Sequence, residues 1–157
     1  MAKTTLAAAG GLALRETVWS GVGTAARPLL VSTWGFGQQA NEAALKVMRE
    51  GGSTLDAVEQ GIWVTEADLT NSSVGIGGTP NAAGAVQLDA CIMWGPGHKA
   101  GSVAAIEGIA HPISAARRVM ALTNHVMLVG EGARQFALEQ GLATAQMPTE
   151  ERRQAWL

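Results

Sequence analysis

The chain has 157 residues, 47% of them hydrophobic and 15% charged, which is the length of one domain and a composition that excludes intrinsic disorder. A net charge of −2 leaves no basic face, so nucleic acid is excluded as the expected partner, and Arg152-Arg153 reads as solvated helix surface. The single cysteine, Cys91, cannot form an intramolecular disulfide; its neighbours Ala90, Ile92 and Met93 make it read as a buried structural thiol.

Thr5 to Leu14 (TLAAAGGLAL) is a ten-residue apolar run behind Lys3. It is too short to cross a bilayer, so no membrane partner is expected. It has the length of a signal-peptide core, and Thr24-Ala25-Ala26 offers small residues for cleavage. The run resembles the middle of a twin-arginine export signal without its arginine pair. We therefore read residues 1–28 as an export signal and linker and expect a periplasmic or secreted protein, with the cytoplasm as the alternative.

Residues 29–157 read as one folded unit. Leu29 to Trp34 (LLVSTW) is apolar and β-branched and predicts a first strand, broken by Gly35 and Gly37. Gln38 to Glu50 predicts a helix with Ala40, Ala44, Val47 and Met48 on one stripe, stopped at Gly51-Gly52. Ser53 then caps a second helix with Asp56 as its reciprocal partner; Leu55, Val58 and Ile62 form its stripe, which fades near Ala67. Residues 68–84 carry Asn, Ser, Gly and Pro without an apolar period and predict a long ordered loop.

Ala85 to Met93 and Gly101 to Ile106 predict a hairpin turned by Gly95-Pro96-Gly97. His111-Pro112 opens a helix that runs to about Leu122. His125 to Val129 reads as a short buried strand and Glu131 to Gln140 as a helix stopped by Gly141; Thr149 caps a last helix. Paired helices and a hairpin do not alternate as a doubly wound sheet would. An α+β arrangement of helical layers over an antiparallel-containing sheet fits better.

The residues alone assemble no complete reactive set. Asp56 is accounted for by capping and Glu59 by helix surface; Glu66, Asp68, Glu107 and Glu131 are further candidate carboxylates. Asp89 lies within a strand between Leu88 and Ala90 and reads as a buried carboxylate needing hydrogen-bond partners. His98, His111 and His125 match no metal-ligand spacing and read as turn and edge histidines. Gly75-Ile76-Gly77-Gly78-Thr79-Pro80 lacks the Gly-Lys-Ser/Thr ending of a phosphate loop and precedes a strand, so its glycines read as sites of positive φ or close backbone approach. Read this way, the chain is a binding module or half of a larger machine.

A set of segments in fixed order decides further. Ser32-Thr33-Trp34, Ala40-Asn41-Glu42-Ala43-Ala44 and Gly51 to Glu59 are followed by Ser73 to Pro80 and Leu88 to Met93. Gly101-Ser102-Val103-Ala104, Pro112 to Arg117 and His125 to Gly130 complete the set. In this order they resemble the α subunit of the glycosylasparaginases. The chain lacks the His-Gly-Gly-Ala opening and Phe-Asn-Ala-Gly-like loop of plant-type asparaginases and isoaspartyl peptidases. It departs from the resembled pattern at Trp94-Gly95, where Asp-Gly is frequent; this is a turn, so a local surface change is expected.

The resemblance implies a layered αββα sandwich of the N-terminal-nucleophile hydrolase type, of which this chain is the N-terminal half. It implies a precursor that cleaves itself at an Asp-Thr bond to expose a nucleophilic threonine, whose own α-amine is the base. No Asp-Thr pair occurs in this sequence, so no catalytic residue is expected on this chain. The implied partner is a β subunit carrying that threonine, in an (αβ)2 assembly acting on a small glycosylated asparagine. No metal or cofactor is implied. Two residues match positions near the nucleophile: Trp34, which reads equally as a pocket wall or a space-filling core indole, and Ser73, which supports the threonine or merely caps a turn.

Overall fold

A computed structural model describes residues 27–157. The proposed export segment lies outside the described residues but for its last two, Arg27 and Pro28.

Two helices lead the fold. α1 (Gly37–Arg49) and α2 (Thr54–Glu66) pack against one another, separated by a turn at Glu50 to Gly52. The capping box predicted for α2 is present: the Asp56 N–H donates to Ser53 Oγ at 3.1 Å, and the Asp56 carboxylate accepts from the Ser53 N–H at 3.0 Å. The sheet follows. β1 (Leu88–Trp94) and β2 (Lys99–Ile106) form the predicted antiparallel hairpin around Gly95–Gly97, and β3 (Met127–Val129) adds parallel to β2. α3 (Pro112–Leu122) crosses from β2 to β3, α4 (Gly130–Glu139) follows, and α5 (Glu150–Trp156) ends the chain behind the Thr149 cap. The fold class is α+β: helices and a small mixed sheet of order β1-β2-β3.

The core lies on one face of that sheet. Leu88, Ile92, Val103 and Ile106 meet Ile113, Ala116 and Val119 of α3 and Ala133 and Ala137 of α4. α2 packs on α3 from the other side and α1 on α2. The opposite sheet face is apolar and uncovered: Met93 is 77% exposed, Met127 54% and Val129 56%. After α4 the chain returns along residues 108–110, where the Ala110 N–H donates to the Ala143 carbonyl and the Ala145 N–H to the Gly108 carbonyl. No helix among the described residues is long and apolar enough to cross a membrane.

Four expectations are corrected. Leu29 to Trp34 forms no strand; a β-branched run becomes one only beside a partner, and Leu29 and Val31 are 86% and 82% exposed here. β3 is a strand but not a buried one. Cys91 is exposed rather than a buried thiol, because alternation from buried Leu88 and Ile92 turns it to the uncovered face. Asp89 shares that face and is exposed. Its need for a partner is met by the Ala105 N–H, which donates to Oδ1 at 2.7 Å. That amide is released from the ladder where Ala105, at φ 49°, bulges between the Leu88–Ile106 and Ala90–Val103 pairs.

Candidate active-site surface

Trp34 sits in the bend that leads into α1, not at a strand end. The bend closes tightly: the Gly37 N–H donates to the Trp34 carbonyl at 2.9 Å, and the Ser32 hydroxyl donates to Asn41 Oδ1 at 2.6 Å. A Cβ on Gly37 would stand 2.3 Å from that of Ser32, so only glycine lets the segment fold back over the helix start. The Trp34 indole is 70% exposed and stacks on Phe36, with ring centroids 6.4 Å apart and planes 12° from parallel. Within this chain it is therefore not a core indole.

Ser73 lies on the loop that follows α2. Asn71 Oδ1 accepts from the Ser73 N–H, the Ser73 hydroxyl and the Val74 N–H at 3.0–3.1 Å, a side-chain turn that fixes the serine in an exposed position. Gly75, at φ +70°, brings the loop back onto the end of α2; a Cβ there would lie 2.1 Å from the Glu66 carbonyl oxygen. This is the close approach the glycine run predicts. The loop and the bend meet at a cavity of about 250 Å³ lined by Trp34, Phe36, Ile62, Thr65 and Val74. A second, of about 350 Å³, shares Phe36 and Thr65 and is lined also by Gln38, Glu42 and Asp68. Ser73 borders this surface through its neighbour Val74, while its own hydroxyl is turned to Asn71. The surface offers an aromatic wall, hydroxyls and amides but no paired nucleophile and base, so it can shape a site rather than run its chemistry.

Behind this surface lies a polar network that sequence reading misses. Glu66, 2% exposed, accepts from the Ile113 N–H at 2.9 Å and lies 3.0 Å from His111 Nδ1. It thereby caps the N-terminus of α3, where His111 makes no side-chain cap. Burial pushes the Glu66 carboxyl up to about 7, and burial likewise lowers His111, so the contact joins two groups that each favour their neutral form. The Trp63 indole N–H donates to Ser114 Oγ at 2.8 Å and its ring tilts over His111. Nearby, Arg117 bridges Asp56 at 2.7 Å and Glu59. The Ser53 hydroxyl, then Arg117, hold Asp56 down at about 2. His111 is thus no edge histidine. Its signal was Glu66 itself, a carboxylate one turn beyond Ile62 on the apolar stripe of α2.

Comparison with known proteins settles the family. The asparaginase family, Asparaginase_2, matches residues 24–157. The chain belongs to the asparaginase-2 family. It is 50% identical over 133 residues to an N(4)-(beta-N-acetylglucosaminyl)-L-asparaginase of Elizabethkingia miricola, covering 85% of this chain and 39% of that protein. The mouse protein of that name is 41% identical over 127 residues, covering 81% and 36%. A plant-type L-asparaginase of Pyrococcus abyssi is 49% identical over 119 residues, covering 76% and 38%. The chain spans about two fifths of the length of these relatives. As a member of this family of amidohydrolases it is related to enzymes named for asparagine amides, with and without a sugar.

Proposed function

We propose that this chain is the α portion of an amidohydrolase that cleaves the amide joining N-acetylglucosamine to a free asparagine, giving aspartate and the amino sugar. The carrying observation is the ordered set of segments shared with glycosylasparaginase, joined by 50% identity to a protein of that name over most of the chain. The nucleophile is the N-terminal threonine of a β portion exposed by self-cleavage. Its hydroxyl attacks the amide carbon, and its α-amine, with an ordinary pKa of about 7.7–8.0, takes the proton near neutral pH. The β portion also supplies the oxyanion hole and the clamp on the substrate's carboxylate and amine. This chain supplies the wall: Trp34 shapes the space around the aspartyl moiety, and the Ser73 loop supports the threonine.

The uncovered sheet face fits this reading. Met93, Met127 and Val129 present apolar surface that a second sheet would cover, completing the αββα sandwich. Two such αβ units form the (αβ)2 enzyme, exported to the periplasm or beyond on the strength of the Thr5 to Leu14 run.

An asparaginase-like hydrolase of small amides is the second reading, favoured by the 49% identity to the Pyrococcus abyssi protein. Steady-state rates of the full-length protein on glycosylasparagine and on asparagine separate the two. The first reading expects the larger kcat/KM on the glycosylated substrate, and a preference for plain asparagine would favour the second. Release of aspartate from neither would overturn both.

A further inference from the structure

We propose that Arg152 is a positioning residue for the Ser73 loop, a guanidinium clamp reaching from α5 to tie both ends of residues 70–77 together; this rests on the reading that the loop borders the active site. Arg152 and Arg153 are adjacent in sequence and read alike as solvated surface, yet the fold treats them differently. Arg153 is half-exposed and pairs with Glu150 within its own helix. Arg152 leaves its helix: its Nε–H donates to the Gly77 carbonyl at 2.7 Å and its Nη2 to the Thr70 carbonyl at 2.8 Å. Ser73 lies between those two anchor points.

The loop crowds backbone carbonyls around Gly77. A Cβ on Gly77 would stand 2.5 Å from the carbonyl oxygens of Leu69 and Asn71 and 2.8 Å from that of Asp68. Carbonyl dipoles therefore crowd one small volume just past the C-terminal, electronegative end of α2. A guanidinium suits such a place. It stays charged, accepts nothing, and its fixed planar array of N–H groups spans two carbonyls at once, where an ammonium is a compact point charge.

The rest of the loop is organised inside the clamp. Asn71 Oδ1 holds Ser73 and Val74, and the Thr79 N–H and hydroxyl both donate to the Ser72 carbonyl. α5 is itself secured at both ends. Thr149 Oγ accepts the Arg152 N–H at its start, and the Trp156 ring at its end packs over Gly84, where a Cβ would come within 3.2 Å of it. A fixed helix thus carries the clamp, and the orientation of Ser73 depends on a residue 79 positions away in sequence.

The test uses full-length protein with Arg152→Ala and Arg152→Lys. Two readouts are needed: amide hydrogen exchange along the chain, and kcat and KM on glycosylasparagine. Arg152→Ala should speed exchange at Val74, Gly78 and Thr79 by roughly tenfold while α1 to α4 exchange as before. Its kcat should fall by about tenfold with KM little changed, and millimolar guanidinium should restore part of both readouts. Arg152→Lys, which keeps the charge but loses the planar array, should recover only part. Unchanged loop exchange, or a rise of equal size throughout the molecule, would overturn the clamp. A loosened loop with unaltered kcat would overturn the positioning role. If wild type releases no aspartate, the proposed function falls and the exchange data alone judge the clamp.

Discussion

On the helix-covered face of the sheet, Val103 and Ile106 are 1% and 0% exposed against Ile113 at 1%; on the opposite face Met93 is 77% exposed and Val129 56%. Both faces are apolar, and both come from the same strands. The first is closed by α3 and α4, and even its flanking carboxyl is satisfied, since Glu66 finds an amide and an imidazole within the chain. The second has apolar side chains and an exposed thiol without any helix of this chain upon them. The covered and uncovered faces of the sheet can thus be told apart by hydrogen bonding as well as by area. Where helices cover the sheet, buried polar atoms have partners; on the other face, apolar atoms meet water.

The largest effects should fall on the closed side. Ile113→Ala should cost about 2–5 kcal/mol in denaturant unfolding, whereas Met93→Ala should stay within about 0.5 kcal/mol. Similar losses at the two positions would break the comparison.

Next comes Glu66. Its folded pKa lies above the unfolded value, so its stabilising contribution is complete below pH 4.5 and is lost as pH rises towards 7. The loss is on the order of 3 kcal/mol at about 1.4 kcal/mol per pKa unit. His111 runs the other way: lowered by burial, its contribution is present above the unfolded value and lost as pH falls. Glu66→Gln keeps an acceptor for the Ile113 N–H and removes the ionisation. Its stability relative to wild type should therefore improve steadily between pH 5 and pH 8. Urea midpoints for both proteins at those pH values check this, and a difference independent of pH would show that the carboxyl is ionised in the fold throughout.

The surface around Trp34 and Ser73 should answer in activity rather than stability. In the full-length protein Trp34→Phe should lower kcat/KM by about 1–3 kcal/mol of transition-state stabilisation. Its melting temperature should hardly move, as suits an indole 70% exposed in this chain. An unchanged rate with lowered melting would return Trp34 to a packing role. Smallest in stability is Ser73→Ala, which removes one of three donors to Asn71 Oδ1 and should cost about 0.5 kcal/mol while slowing self-cleavage or turnover. Proportional loss of both would leave Ser73 a turn serine only.

Much of this was legible in the sequence because it rests on local rules. The Ser53–Asp56 capping box, the Gly51-Gly52 stop, the Gly95-Pro96-Gly97 hairpin and the proline that opens α3 each depend on residues within a few positions of one another. The positive φ at Gly75 was legible for the same reason. What failed depended on distant partners. Leu29 to Trp34 has strand composition, but a strand exists only beside another. Cys91 and Asp89 sit among apolar neighbours, yet which face a helix covers is decided by α3, some twenty residues on. Glu66 and His111 are 45 residues apart, and Arg152 reaches back 75 residues to Gly77. For the site, the resemblance singled out Trp34 and Ser73; the structure adds the cavity joining Trp34 to Val74, and no local pattern announced it.

The mass and N-terminal sequence of the mature full-length protein decide whether a precursor splits into α and β portions. Two chains are expected, the second beginning with threonine released from an Asp-Thr bond. A single uncleaved chain that still releases aspartate from glycosylasparagine would contradict it.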